Sequence, residues 1–202
     1  MKRLTKKQLA DIVDVYHTKF SQWTVIGGER LVRLNGPVLQ QIGFEILRSG
    51  AYRPSSGVRF LVAPGAAMLH QFLDIRHREI LLREHGAAWE RVIDAMEQQF
   101  VPSVRNPLRV EEVRDLCEHA AGQNTNACYG LAALNAYLGD TSRALVWCDR
   151  LNASVAASDP EPAAWQLEHL EFGRKLRDAI QEGKERSFLE TEMTKETQLL
   201  GQ

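Results

Sequence analysis

The chain has 202 residues, a net charge of −1, 44% apolar and 25% charged residues, so it can bury about 70% of its unfolded surface without staples and has an ordinary globular composition. A near-neutral balance argues against a global pull toward nucleic acid or membrane. Three cysteines (Cys117, Cys128, Cys148) with no CxxC spacing argue against a disulfide framework and a zinc finger.

Residues 1–7 are basic and lead into a helix, so no signal peptide is expected. No stretch approaches the ~18 apolar residues of a membrane span, and the expected location is the cytoplasm. Thr5 to about Gln22 predicts an amphipathic helix, with Thr5 as cap and Leu9, Ile12, Val13, Tyr16 and Phe20 as its stripe.

Residues 31–62 are the part that reads as strands. Leu31 to Leu34 predicts a short strand closed by the turn pair Asn35-Gly36. Val38, Ile42, Phe44 and Ile46 then share one parity, with Gln40 the exception, and Gln41, Gly43 and Glu45 share the other. A helix opened by Pro37 and closed by Gly50 is the alternative over that stretch. Residues 48–57 carry two glycines and a proline and predict a long hairpin loop, after which Val58, Phe60 and Val62 alternate with Arg59 and Leu61.

Residues 66–85 predict a helix with Leu69, Phe72, Leu73, Arg76 and Ile80 on one side. Gly86 interrupts it, and Trp89, Val92, Ile93, Met96 and Phe100 mark a second helix. Pro102 and Pro107 mark a linker. Val110 to Ala121 predicts a helix with Val110, Val113, Leu116 and Cys117 inward. Residues 163–182 predict another, with Trp165, His169, Phe172, Leu176 and Ile180 on adjoining faces, ended by Gly183. Residues 184–202 read as a short helix or a frayed tail.

Between these lies a helical hairpin over residues 126–155. Leu131, Ala132, the Gly139-Asp140 turn and Ala144 resemble one tetratricopeptide-type unit, while Cys128, Asn135 and Cys148 occupy places where that motif prefers large aromatics. The resemblance covers about thirty residues with no second copy, and a solenoid needs roughly three. It implies a hairpin, not an array. The fold class expected is α+β: a helix and a small antiparallel sheet of about three strands, covered and followed by a helical majority. The expected parts are 1–101, including the hairpin 38–62, then 108–183, then a polar tail 184–202, with one continuous domain as the alternative.

Catalytic signals are sparse. The chain has no GxGxxG, GK[ST], HExxH or GxSxG. His70, Asp74 and His77 would share one face of a helix, with His85 two turns on, and such a face suits zinc, iron or nickel; the plainer reading is the wet side of an amphipathic helix with Asp74 paired to Arg78. Cys117-Glu118-His119 reads as a buried inert thiol rather than a nucleophile with its base. No cofactor is expected.

Charge is unevenly placed. Residues 1–65 hold ten Lys/Arg against four Asp/Glu, and residues 159–202 hold six against ten. Arg33, Arg48, Arg53 and Arg59, with Tyr52 at the tip of the expected loop, would form a basic face whose fields add. Arginine beside an aromatic also suits single-stranded nucleic acid, but no RNP-type motif is present. The function expected is a non-catalytic protein-interaction module binding an acidic protein partner, with homodimerisation through the helical part as a further option. Its layout resembles that of small bacterial proteins that bind and neutralise, or chaperone, a partner, such as toxin-immunity proteins. A metal-dependent enzyme and a nucleic-acid binder are the competing classes.

Overall fold

The first helix starts at its expected cap. Thr5 Oγ1 accepts from Gln8 N while Gln8 Oε1 accepts from Thr5 N, a reciprocal capping box. This is seen in a computed structural model that describes residues 4–65, 67–74, 80–122, 124–158 and 161–200. The fold is α+β. Among the described residues the order is α1 (Lys6–Lys19), β1 (Thr24–Ile26), β2 (Arg30–Asn35), β3 (Val38–Ile46), β4 (Ala51–Phe60), β5 (Ala67–Phe72), β6 (Ile80–Leu81), α2 (Leu82–Gln99), α3 (Val110–Ala121), α4 (Thr125–Tyr137), α5 (Thr141–Ala156), α6 (Ala164–Gln181) and α7 (Glu185–Leu199). The antiparallel sheet has six strands instead of three. Its order is β1-β2-β3-β4-β5, and β6 also pairs with β4. No helix among the described residues is long and apolar enough to cross a membrane.

Residues 38–46 are a strand, not a helix. The parity is as expected: Val38, Ile42 and Phe44 are buried, while Glu45 is exposed. Gln40, the polar exception, is fully buried, and its amide is used at both ends. Its Oε1 accepts from Arg33 Nε at 2.8 Å and its Nε2 donates to Pro102 O at 2.7 Å. A buried amide with both ends bonded costs little.

Two expectations in the sheet are corrected. The long loop at 48–57 is a tight turn: Leu47 N donates to Ala51 O and Gly50 N to Leu47 O. Strand β4 then runs through Pro54, Ser55, Ser56 and Gly57. In an antiparallel strand the N–H and C=O of one residue point to the same side. Pro54 O accepts from Leu73 N at 3.1 Å, so the missing N–H falls on the side where β4 changes partner. There β6 pairs with Ala51 and Tyr52, and β5 takes over. The second correction is that 67–72 is a strand and not a helix. Leu69, Phe72 and Leu73 fit helical spacing on paper, but the edge of β4 recruits them. Gly86 does not interrupt α2; nothing lies within 4 Å of where its Cβ would be, and it costs the helix only propensity.

The chain divides into two compact units. The first comprises Met1–Asn35, Leu39–Val58 and Leu69–Arg109; the second comprises Gly36–Val38, Arg59–Met68 and Val110–Gln202. The first unit buries one apolar cluster between the sheet and its helices, built from Leu9, Ile12, Val13, Tyr16, Phe20, Trp23, Leu31, Ile42, Phe44, Tyr52, Val92 and Met96. Side-chain amides imitate a strand ladder along β5. Gln71 Oε1 accepts from Val101 N and its Nε2 donates to Val101 O, at 3.0 and 3.1 Å. Gln99 does the same for Asp74, at 2.8 and 2.7 Å. These clamps tie β5 and Asp74, just past its end, to Gln99 at the C-terminal end of α2 and to Val101.

The second unit holds the expected hairpin. Helices α4 and α5 join at Gly139, whose φ of +82° suits glycine, and Asp140 caps α5 by accepting from Arg143 N. Gly130 explains the tightness of this unit, since a Cβ there would meet Met68 Sδ at 2.3 Å and Phe60 at 3.2 Å. Residues 185–199, expected as a short helix or a tail, are helix α7, anchored by the buried Leu189.

Candidate functional site

The three arginines of the first unit, Arg33, Arg48 and Arg53, do not form one patch. On β2, Arg33 has the parity of the buried Leu31 and turns toward the core side. Its guanidinium donates to Gln40 Oε1, to Asn106 O at 2.7 Å and to Ser103 O, and it stacks 4.8 Å over Trp23. It therefore ties the 101–109 segment to the sheet. In the second unit, Arg59 pairs with Glu196 at 3.1 Å. Arg48 is exposed in the β3–β4 turn. Only Arg53 stands on the open face of the first unit, paired to Glu45 at 2.6 Å and lying 3.7 Å over the Phe72 ring.

Tyr52 is the clearest correction. It is 0% exposed, because β4 begins at Ala51, six residues before the loop was expected to end, and the strand parity turns Tyr52 inward. Its hydroxyl lies 3.0 Å from Tyr16 Oη and 2.7 Å from His85 Nδ1. Burial pushes the Tyr52 hydroxyl up to about 12 and raises that of Tyr16 further, so both stay protonated and each must donate. The consistent chain has Tyr16 donating to Tyr52 and Tyr52 donating to His85 Nδ1. Burial lowers the His85 imidazole below its ordinary value, and its Nε2 is buried without a partner among the described residues.

This has a pH consequence. A histidine with a depressed folded-state pKa binds fewer protons folded than unfolded just below the ordinary value of about 6.5. Its stabilising contribution is present above that value and is lost as pH falls through it toward the folded one. Thermal melts between pH 7.5 and 5 should show falling stability in the native chain. His85→Gln should flatten part of that slope, and an unchanged slope would show that the ring does not titrate with unfolding.

The His70, Asp74 and His77 face does not form as expected. His70 lies on β5 and Asp74 just past its end, so helical spacing does not hold, and His77 lies outside the described residues. The His70 ring stacks edge-on against Phe72 at 4.6 Å. Among the described residues no group of three His, Cys, Asp or Glu could hold a metal ion. Cys117 is buried while His119 is exposed on another face of α3. Burial and the neighbouring Glu118 push that thiol up to about 12, which keeps it unreactive at neutral pH.

What the first unit does present is a bare trough across the open sheet face. The hairpin register sets Gly43 opposite Ser55 and Gln41 opposite Gly57. A Cβ at Gly43 would sit 3.2 Å from Ser55 Oγ, and one at Gly57 would sit 3.1 Å from Gln41 Nε2. At Gly43 the floor is thus backbone beside the Ser55 hydroxyl, while the Gln41 side chain lies over the buried Gly57. A cleft of about 430 Å³ opens there, walled by Glu29, Arg30, Gln41 and Glu45. Beside it lies the Arg53–Phe72 stack, with Phe72 45% exposed. Sequence reasoning missed Phe72 because it was placed on a helix stripe. The signal available was the run of small residues, Gly43 and Ser55-Ser56-Gly57, in otherwise strand-like sequence, which marks close backbone approach. The chain matches no family model, no curated protein and no solved structure.

Proposed function

We propose that this chain is a non-catalytic protein-interaction module whose binding surface is the open sheet face of the first unit. Such a module would bind and neutralise, or chaperone, a partner protein, in the manner of toxin-immunity proteins. The observation that carries the reading is the Gly43–Ser55 floor of the cleft beside an exposed aromatic held under an arginine. Small residues let a partner's backbone come close, and aromatics with arginine supply most interface energy. The basic surplus expected over the whole of residues 1–65 is reduced here to Arg30, Arg48 and Arg53 against Glu29 and Glu45. An acidic partner would be favoured in encounter rate more than in affinity.

The test uses a photo-crosslinking amino acid at the exposed position 48 and a pull-down from the native host. Phe72 is half exposed, so Phe72→Ala should leave the melting temperature within about 2 °C. The same change should weaken capture of the crosslinked species about tenfold or more, as expected of a hot-spot residue. Equal capture by native chain, Phe72→Ala and Arg53→Glu would move the binding site off this face.

A further inference from the structure

In the second unit, α6 buries only Gly173 and Leu176 of its 18 residues. Trp165 and Leu167 remain 45% and 50% exposed. The helix borders a groove of about 440 Å³ floored by Cys148 and Gly173 and walled by Asn152, Leu167, Leu170 and Arg174. A Cβ on Gly173 would come within 2.9 Å of Leu151 Cδ2. The α5 and α6 backbones therefore approach closely at the floor, which carries no side chain of its own on α6.

Over residues 168–177 charge on α6 is sorted by sign: Glu168 and Glu171 precede Arg174, Lys175 and Arg177, and Asp178 follows them. Glu168, Glu171 and Lys175 follow one another at steps of three and four, so they share a stripe, and that stripe flanks the one formed by Leu167, Leu170 and Arg174. When two identical helices pack antiparallel about a two-fold axis, each flanking stripe meets its own copy. An axis passing beside Glu171 sets Glu168 against Lys175 of the second copy, and does so twice. It also sets Leu167 against Arg174 of the second copy, beside the Gly173 backbone that Leu151 covers from α5. The present Glu171–Arg174 and Glu171–Lys175 pairs, at 2.8 and 3.5 Å, are exposed and cost little to extend or exchange. A net charge of −1 does not oppose self-association.

We propose that this groove is the docking face for a second copy of the chain, packed antiparallel through α6. The proposal is independent of the sheet-face reading, since it uses only second-unit residues.

Sedimentation equilibrium of the full chain tests it. The native chain should form a reversible dimer at concentrations up to about 200 µM, a range that covers weak but specific contacts. Leu167→Arg, which would face Arg174 of the second copy, should weaken the dimer about thirtyfold or more, as an interface anchor does. Lys175→Glu alone should weaken it about tenfold, because it faces like charges twice. The charge-swapped variant Glu168→Lys/Lys175→Glu should return to within about threefold of native, since it restores both pairs in the reverse sense. Circular dichroism shows whether each variant keeps its fold, and the surface charge variants carry the test if Leu167→Arg does not. A native chain that stays monomeric, a dimer indifferent to Leu167→Arg, or a charge-swapped variant no tighter than Lys175→Glu would overturn the proposal.

Discussion

Tyr52→Ala is expected to destabilise the chain by about 3–5 kcal/mol, the usual cost of deleting a large buried aromatic side chain. Tyr52 is 0% exposed and packs against Tyr16, Phe44 and His85, with ring centroids 6.4, 6.0 and 5.8 Å away. The substitution also strips Tyr16 Oη and His85 Nδ1 of their shared partner. Tyr52→Phe keeps the ring and loses only the hydroxyl, so it should cost about 1–2 kcal/mol. Denaturant midpoints with an unchanged slope measure both. Typical native stability is about 5–15 kcal/mol, so the alanine variant should stand near the edge of folding. A Tyr52→Ala midpoint equal to native would mean that the ring is not in the core. This result bears on function as well: a loss of partner binding in Tyr52→Ala would report unfolding, and Phe72 is the residue at which binding can be probed without it.

The parts of the fold legible in the sequence are those where local chemistry and tertiary packing agree. Thr5 and Gln8 make the box that their spacing allows, Gly139-Asp140 makes the turn between α4 and α5, and the parity of β3 survives intact. Even the break in that parity was informative, because Gln40 is the buried amide that receives Arg33. The rest was hidden where packing overrides local preference. Pro54, Ser55, Ser56 and Gly57 have turn chemistry, yet they lie in a strand because their small side chains let Gln41 and the open face lie close above them. Leu69, Phe72 and Leu73 satisfy helical spacing and strand pairing alike, and only the neighbouring strand decides between them. That ambiguity gave His70 and Asp74 a helix face they do not share and concealed Phe72 as an exposed aromatic, while the turn chemistry of residues 54–57 moved Tyr52 outward. Charge totals were legible, but their grouping was not. Arg33 and Arg53 lie on opposite faces of the sheet, so their fields do not add as a linear count suggests.

Arg33 is the position where that difference is most measurable. A surface arginine replaced by alanine changes stability by less than about 0.5 kcal/mol. Arg33→Ala should instead cost about 3 kcal/mol, because it orphans the part-buried oxygens of Gln40 and Ser103 and loses the exposed bond to Asn106, and charged hydrogen bonds are worth roughly 1.5–3 kcal/mol each before solvent takes its share. Burial lowers the guanidinium only to about 10, so it remains charged at neutral pH and bonds as a cation. Lysine gathers its three N–H donors on one nitrogen and lacks the planar fork that reaches acceptors spread over separate segments, so Arg33→Lys should recover less than half of the loss. The Gln40→Leu partner change separates this from simple truncation. Removing both members of a buried polar pair is cheaper than orphaning one, so the double variant should lose less than the sum of the singles by about 1 kcal/mol. Trp23 reports the event directly. Its indole stacks under Arg33 and donates to Val104 O at 3.2 Å, so its fluorescence should shift red as the 101–109 segment loosens. Additive losses with an unshifted Trp23 spectrum would place Arg33 in solvent and return it to the candidate binding residues.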